Sequence, residues 1–181
     1  MSESTRLELF RGDSHLTGRL LDSELEGPLR IEEAGRQQAD LSYSQGQLQG
    51  ASTLYHPNGK VSALLPYISG KLHGMATFHA PEGWLQRKAT YRKGLLHGEA
   101  SNYFPDGQLA ELEHYRDGVR DGSYQRLHPN GKKALDARYL NGQLLDPGQP
   151  FASDGRPLDP EGKPMSRLRW WWKRWTDPVE A

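Results

Sequence analysis

Tyr43, Tyr67, Tyr91, Tyr115 and Tyr139 stand 24 residues apart, and no other feature of the chain constrains its fold as tightly. Four further series keep the same step. Gly46, Gly70, Gly94, Gly118 and Gly142 form one, and Gly50, Gly74, Gly98 and Gly122 another, with Asp146 in the next place. Gly35, Gly59, Gly83, Gly107, Gly131 and Gly155 form the third, and Pro57, Pro81, Pro105 and Pro129 the fourth. A fixed period shared by independent residue types means that one small unit is built again and again and buries its surface against its neighbours.

Each unit contains two kinds of turn. The first reads His56-Pro57-Asn58-Gly59, then Ala80-Pro81-Glu82-Gly83, Phe104-Pro105-Asp106-Gly107 and His128-Pro129-Asn130-Gly131. Proline fixes φ, and the glycine accepts the positive φ of a tight reversal. The second runs from Tyr67 through Gly70 to Gly74 and its equivalents, a longer connection with two glycines. The runs between turns, such as Ala51 to Tyr55 and Lys60 to Tyr67, suit strands and are too short for helices. The expected fold is all-β: tandem β-hairpins forming one elongated antiparallel meander, followed by a short C-terminal helix. The expected divisions are a cap or degenerate hairpin over 1–30, the repeats over 31–146, a Pro/Gly linker over 147–165 and a Trp/Arg-rich helix over 166–176.

A composition of 20 Gly and 12 Pro with 35% hydrophobic residues fits a thin fold with many turns, and 17 aromatic residues (8 Tyr, 5 Trp, 4 Phe) argue against disorder. The 23 basic and 23 acidic residues cancel, so no overall charge draws the chain to nucleic acid. There is no cysteine, which excludes disulfides and thiolate chemistry. The first ten residues carry Glu3, Arg6 and Glu8 and lack the apolar run of a signal peptide. A cytoplasmic location is the expectation.

The pattern Tyr-x-x-Gly-x-x-x-Gly, followed about eight residues later by Asn-Gly or Asp-Gly, resembles the MORN repeat. The stretches Tyr91-Arg-Lys-Gly94-Leu-Leu-His-Gly98 and Tyr103-Phe-Pro-Asp-Gly107 carry the resemblance best, and it covers roughly Gly35 to Asp146. It is closest to the bacterial variant called the YwqK-like antitoxin family, whose members accompany toxin or effector genes. The resemblance therefore implies an immunity or antitoxin role. One departure stands out: the small residue early in the short strand, Ser52, Ala76 or Ala100, becomes Tyr124 in the fourth unit.

No catalytic constellation is visible: there is no Gly-x-Ser-x-Gly elbow, no His-Glu-x-x-His and no phosphate loop. The expectation is a non-enzymatic protein without cofactor or metal. His73 and His97 share one repeat position and so lie roughly 10 Å apart, too far to share an ion. His56 and His128 precede Pro-Asn-Gly turns and read as packing or capping groups. Glu111 and Glu113 lie two apart on a strand, hence on one face, and read most simply as a solvated surface.

Two positions of the long strand break the repeat. Counted from the turn glycine, the fourth residue is Ala63, Arg87, Glu111 or Leu135, and the fifth is Leu64, Lys88, Leu112 or Asp136. A varied surface on a regular frame is what a specific binding face looks like, although unselected drift of exposed residues gives the same pattern. The C-terminal segment Arg167 to Trp175 is a second candidate. On a helix, Leu168, Trp171, Trp172 and Trp175 form one stripe, and Ser166 stands where a cap is needed. Three readings stand for it: a cap on the last hairpin, a partner anchor, or a membrane-surface contact. The candidate partner-binding residues are thus Arg87, Lys88, Glu111, Glu113, Asp136, Trp170, Trp171 and Trp175. The expected partner is a cognate toxin acting in the cytoplasm, a nuclease for example, with no direct nucleic-acid contact. A peripheral membrane scaffold is the alternative.

Overall fold

A computed structural model describes residues 3–166, 168 and 169. Its strands are β1 (Ser4–Arg11), β2 (Ser14–Leu21), β3 (Glu24–Leu25), β4 (Gly27–Glu33), β5 (Arg36–Ser44), β6 (Gln47–Leu48), β7 (Gly50–Tyr55) and β8 (Val61–Ile68). They continue as β9 (Lys71–Leu72), β10 (Gly74–His79), β11 (Leu85–Arg92), β12 (Leu95–Tyr103), β13 (Leu109–Arg116), β14 (Val119–Leu127), β15 (Lys133–Leu140) and β16 (Gln143–Pro150). All belong to one 16-stranded antiparallel sheet in which each long strand pairs with the next in sequence. The expected meander is present. It already includes the first thirty residues, because β1, β2 and β4 pair in the same order as the later strands.

The two turn types differ from the sequence reading in one respect. The two-glycine segment is not a long connection. Ser69 and Gly70 have φ of 48° and 74°, Lys93 and Gly94 52° and 88°, and Asn141 and Gly142 49° and 81°. Two successive left-handed residues make a two-residue type I′ reversal, whose twist matches that of the flanking strands. Pairing resumes at once, with Tyr67 opposite Leu72 and Ile68 opposite Lys71. The second glycine then sits inside the returning strand: Gly98 and Gly122 have φ of 91° and 123°, and the register shifts beside them. It is the glycine of a bulge, which gives an extra residue room without breaking the ladder.

Both rows of turns are tied along the sheet. The amide of Gly70 donates to the carbonyl of Leu48 at 2.9 Å, Gly94 to Leu72 at 2.8 Å and Gly118 to Leu96 at 2.8 Å. On the opposite side, the His-Pro-Asn-Gly-Lys turn clips onto the next one. His56 Nε2 meets the carbonyl of His79 at 2.8 Å, Asn58 Nδ2 donates to Pro81 O at 2.7 Å, and Lys60 Nζ donates to Glu82 O at 2.7 Å. His128, Asn130 and Lys132 repeat all three contacts on Phe151, Ser153 and Asp154. The motif recurs because it satisfies carbonyls that a free-standing turn would leave to water.

That last set of contacts lands in the Pro/Gly stretch 147–165, which carries further turns of the same kind rather than extended chain. Ala152 and Arg156 close one turn, Asp159 and Lys163 another. Of the helix expected over 166–176, only Leu168 and Arg169 are helical among the described residues, with the Arg169 amide donating to Ser166 Oγ at 3.3 Å. The helix is therefore not supported. Trp170, Trp171 and Trp175 lie outside the described residues.

A single sheet has no second layer to cover its side chains, so only small ones disappear completely. The buried apolar residues are Leu29, Ala39, Ala63, Ala76, Ala80, Ala89, Ala100 and Ala137, and the largest side chain that is fully buried is Ser52. Most of these line one surface, the tyrosine face, which also carries Tyr67, Tyr91, Tyr115 and Tyr139. Two lanes run across it. One passes through Leu41, Ser52, Leu65, Ala76, Ala89, Ala100, Glu113, Tyr124 and Ala137. Beside it runs Leu16, Ile31, Ala39, Leu54, Ala63, Phe78, Arg87, Asn102, Glu111, Arg126 and Leu135.

Candidate functional site

Both lanes are apolar for most of their length; one turns polar from β11 to β14, and the other joins it at β13 and β14, after Ala89 and Ala100. Arg87 on β11, Asn102 on β12, Glu111 and Glu113 on β13, and Tyr124 and Arg126 on β14 occupy lane positions that other repeats give to Ala, Leu, Phe or Ser. Cross-strand pairing aligns Arg87 with Asn102, Asn102 with Glu111, and Glu111 with Arg126. The sheet thus delivers these groups to one patch whatever their separation in sequence.

Glu113 is the centre of the patch. It is 2% exposed, where a solvated carboxylate was expected. A buried carboxylate needs compensating donors, and two guanidiniums supply them. Arg120 donates from Nε to Glu113 Oε1 at 2.9 Å and brings Nη2 to 2.6 Å of the same oxygen. Arg87 places Nη2 3.4 Å from Glu113 Oε2 and donates from Nη1 to Asn102 Oδ1 at 2.9 Å. Asn102 passes the chain on by donating to Glu111 Oε2 at 2.6 Å, and the Tyr124 hydroxyl donates to Glu111 Oε1 at 2.5 Å.

The charges respond to this setting. Burial first, then the hydrogen bond to Glu111, push the Tyr124 hydroxyl up to about 12. Burial works against the charged form of Arg120, but its bonds to Tyr115 and Glu113 override that and raise its pKa above the usual arginine value. The Arg120 guanidinium also lies 5.5 Å from the Tyr124 ring centroid and 5.4 Å from that of Tyr139, within cation–π range. Tyr124, the residue that departs from the small Ser/Ala pattern, is thus a member of the network. Arg126 completes the patch: it is exposed, faces Glu111, and has no hydrogen bond or ion pair among the described residues.

The structure divides the residues singled out from the sequence. Arg87, Glu111 and Glu113 come together on the tyrosine face. Lys88 and Asp136 fall on the reverse face, since neighbours along a strand point opposite ways. There Lys88 lies 5.8 Å from the Tyr103 ring centroid and Asp136 pairs with Lys133 at 2.5 Å. Asn102, Arg120, Tyr124 and Arg126 were missed as site residues. The signal available was the register: given hairpins of this period, counting places Asn102 opposite Arg87 and Glu111, Arg126 opposite Glu111 and Tyr124 opposite Glu113, whereas Arg120, opposite Tyr115, reaches Glu113 only past the bulge.

The reverse face has its own smaller cluster. Arg30 and Tyr55 hold Asp40 at 3.1 and 3.0 Å, with Gln37 also donating to it. The histidines are dispersed. His97 meets Asp117 at 3.2 Å, and Asp117, hydrogen-bonded by Arg92 at 2.8 Å, has its pKa lowered chiefly by that bond. Among the described residues no group of three or more His, Asp or Glu could hold a metal ion, and no helix is long and apolar enough to cross a membrane.

The family model described as MORN repeat variant matches residues 43–69 and 96–117. Each matched stretch covers a Pro-x-Gly turn with its flanking strands, β7 and β8 in the first and most of β12 with β13 in the second, so two of the repeats match the MORN variant on a β-hairpin frame. Such repeats suggest a protein- or membrane-binding function. No curated protein matches the chain.

Proposed function

We propose that this chain is a non-enzymatic protein-binding repeat protein that docks its partner on the polar patch of the tyrosine face, and that the partner is a bacterial toxin which the chain neutralises by direct binding in the cytoplasm. The observation that carries the docking surface is the polar interruption of two apolar lanes. Six lane positions, four in one lane and two in the other, change from the Ala, Leu, Phe or Ser of other repeats to Arg, Asn, Glu and Tyr across β11 to β14. An ionic network in a half-buried lane contributes less to stability than apolar packing of similar volume, so its presence calls for another use. Arg126 sharpens the point: a strut holding Glu113 has no need of an exposed arginine opposite Glu111. Arg and Tyr are also the residues that dominate interface hot spots. The antitoxin role rests on the resemblance of the repeats to the YwqK-like family.

Co-expression with the products of the genes on either side, tested first for toxicity alone, tests the proposal. Protection of the host cell and a purified complex support it; a toxin that neither binds nor is neutralised removes the antitoxin role. The membrane scaffold is separated by liposome flotation with and without residues 165–181. Flotation that depends on that segment favours the scaffold, because the segment holds four of the five tryptophans.

A further inference from the structure

The two edges of the sheet are treated differently. At one end, β16 contains Pro147, Gly148 and Pro150, its register against β15 is irregular, and the amide of Leu158 donates to the carbonyl of Pro150 at 2.8 Å. Proline, bulging and covering turns are the usual devices that stop an edge from accepting another strand. At the other end, β1 has none of them. It pairs with β2 through eight consecutive residues without a bulge, and its start is fastened by paired bonds between Glu3 and Asp22. Its outer side meets no strand among the described residues.

The sequence of β1 is self-complementary. In Ser4-Thr-Arg6-Leu7-Glu8-Leu9-Phe10 the central Leu7 is flanked by a basic residue on one side and an acidic one on the other. We propose that a second copy of this chain pairs with β1, antiparallel, about a two-fold axis through Leu7. That register sets Leu7 against Leu7 of the second copy, Arg6 against Glu8 and Glu8 against Arg6, and Thr5 against Leu9. Moving the axis by one residue toward either end places Arg6 opposite Arg6 or Glu8 opposite Glu8, and directly opposed like charges destabilise a pair. Sliding one strand by a single residue instead sets the leucine face of one copy against the charged face of the other. Charge and face together select one register. Within one chain Arg6 and Glu8 already lie on the same face, 3.5 Å apart, with Arg6 76% exposed. Glu8 also meets His15 Nε2 at 3.1 Å, and pairing across the seam trades its 3.5 Å contact with Arg6 of the same chain for one with Arg6 of the second copy.

The faces match as well. Leu7 and Leu9 stand on the tyrosine face, and Leu9 is 56% exposed. Pairing joins the lane that ends at Leu7 to its counterpart in the second copy and sets Thr5 against Leu9. The patch around Glu113 lies far along the sheet from β1, so a dimer of this kind presents two patches and binds partners at both ends.

The test uses the full chain. Analytical ultracentrifugation is expected to show a monomer–dimer equilibrium. Glu8→Arg turns two attractive pairs into repulsive ones and weakens dimerisation at least roughly tenfold. The exchange Arg6→Glu with Glu8→Arg restores it. Because the chain has no cysteine, trapping gives an independent readout. Leu7→Cys crosslinks to itself on mild oxidation and Thr5→Cys does not, whereas an equimolar mixture of Thr5→Cys and Leu9→Cys crosslinks heterotypically. A chain that stays monomeric at every soluble concentration overturns the proposal. So does a dimer indifferent to Glu8→Arg, or one that crosslinks through Thr5.

Discussion

Replacing Glu113 by alanine isolates the electrostatics of the patch from its packing. Alanine is what the neighbouring repeats carry at this place, at Ala89 and Ala137, so the substitution asks nothing new of the backbone. What is lost is the acceptor for two guanidiniums. Arg120 makes the closer contacts, at 2.9 and 2.6 Å, and Arg87 the longer, at 3.4 Å. Charge-assisted bonds are worth about 1.5–3 kcal/mol each where both partners are dry. Here the arginine side chains are 42% and 27% exposed, so water recovers part of the loss. A net destabilisation of about 2 kcal/mol follows. For a chain of this length that lowers Tm by about 4–8 °C, measured by thermal circular dichroism and checked by urea denaturation. Adding Arg120→Leu removes the stranded charge, and the double variant should regain about 1 kcal/mol relative to additivity. A Glu113→Ala protein as stable as the parent, to within about 0.5 kcal/mol, refutes the claim that this carboxylate holds the patch together.

Four further outcomes follow. Ultraviolet titration of the tyrosines should find one ionising at about 12; because the unfolded hydroxyl ionises near 10, the folded state loses stability as pH rises from about 10 toward 12, and Glu111→Gln lowers the folded pKa. Asn58→Ala and Asn130→Ala, each removing one bond to the next turn, should cost about 1 kcal/mol apiece, read by urea denaturation. Gly148→Ala should detach β16, since its Cβ falls 1.7 Å from the Asp136 carbonyl oxygen; hydrogen exchange should show lost protection in β16 and in the β15 amides that pair with it. Gly122→Ala, at φ 123° and with its Cβ 3.0 Å from His114 Cβ, should destabilise more than Gly131→Ala, whose nearest neighbour is the Gln108 side chain at 3.7 Å.

The meander was legible because turn chemistry repeats. Glycine and proline at fixed intervals dictate where the chain reverses, and a two-residue side-chain period does the rest. The opening hairpins were harder to see. Gly12 and Gly27 stand 23 residues before Gly35 and Gly50, and that single-residue offset hides them from a strict 24-residue count. The I′ turns were misjudged as long connections because Ser69 and Lys93 are not residues that ordinarily accept a left-handed φ, which costs an L-residue roughly 1–2 kcal/mol; the stacked turns hold them there. Glu113 was read as solvated because strand periodicity assigns a face but not the neighbours on it. Its two arginines come from β11 and β14, and only the register, with the bulge beside Gly122, brings them to one carboxylate.

Calorimetric titration of the proteins encoded by the genes on either side of this one, with Arg126→Glu on the tyrosine face and Asp136→Lys on the reverse face as the paired variants, tests the central claim most directly. Binding through the polar patch predicts a stoichiometric complex that Arg126→Glu weakens by at least roughly tenfold and Asp136→Lys leaves unchanged. Absence of a complex, or sensitivity to Asp136→Lys with indifference to Arg126→Glu, contradicts it.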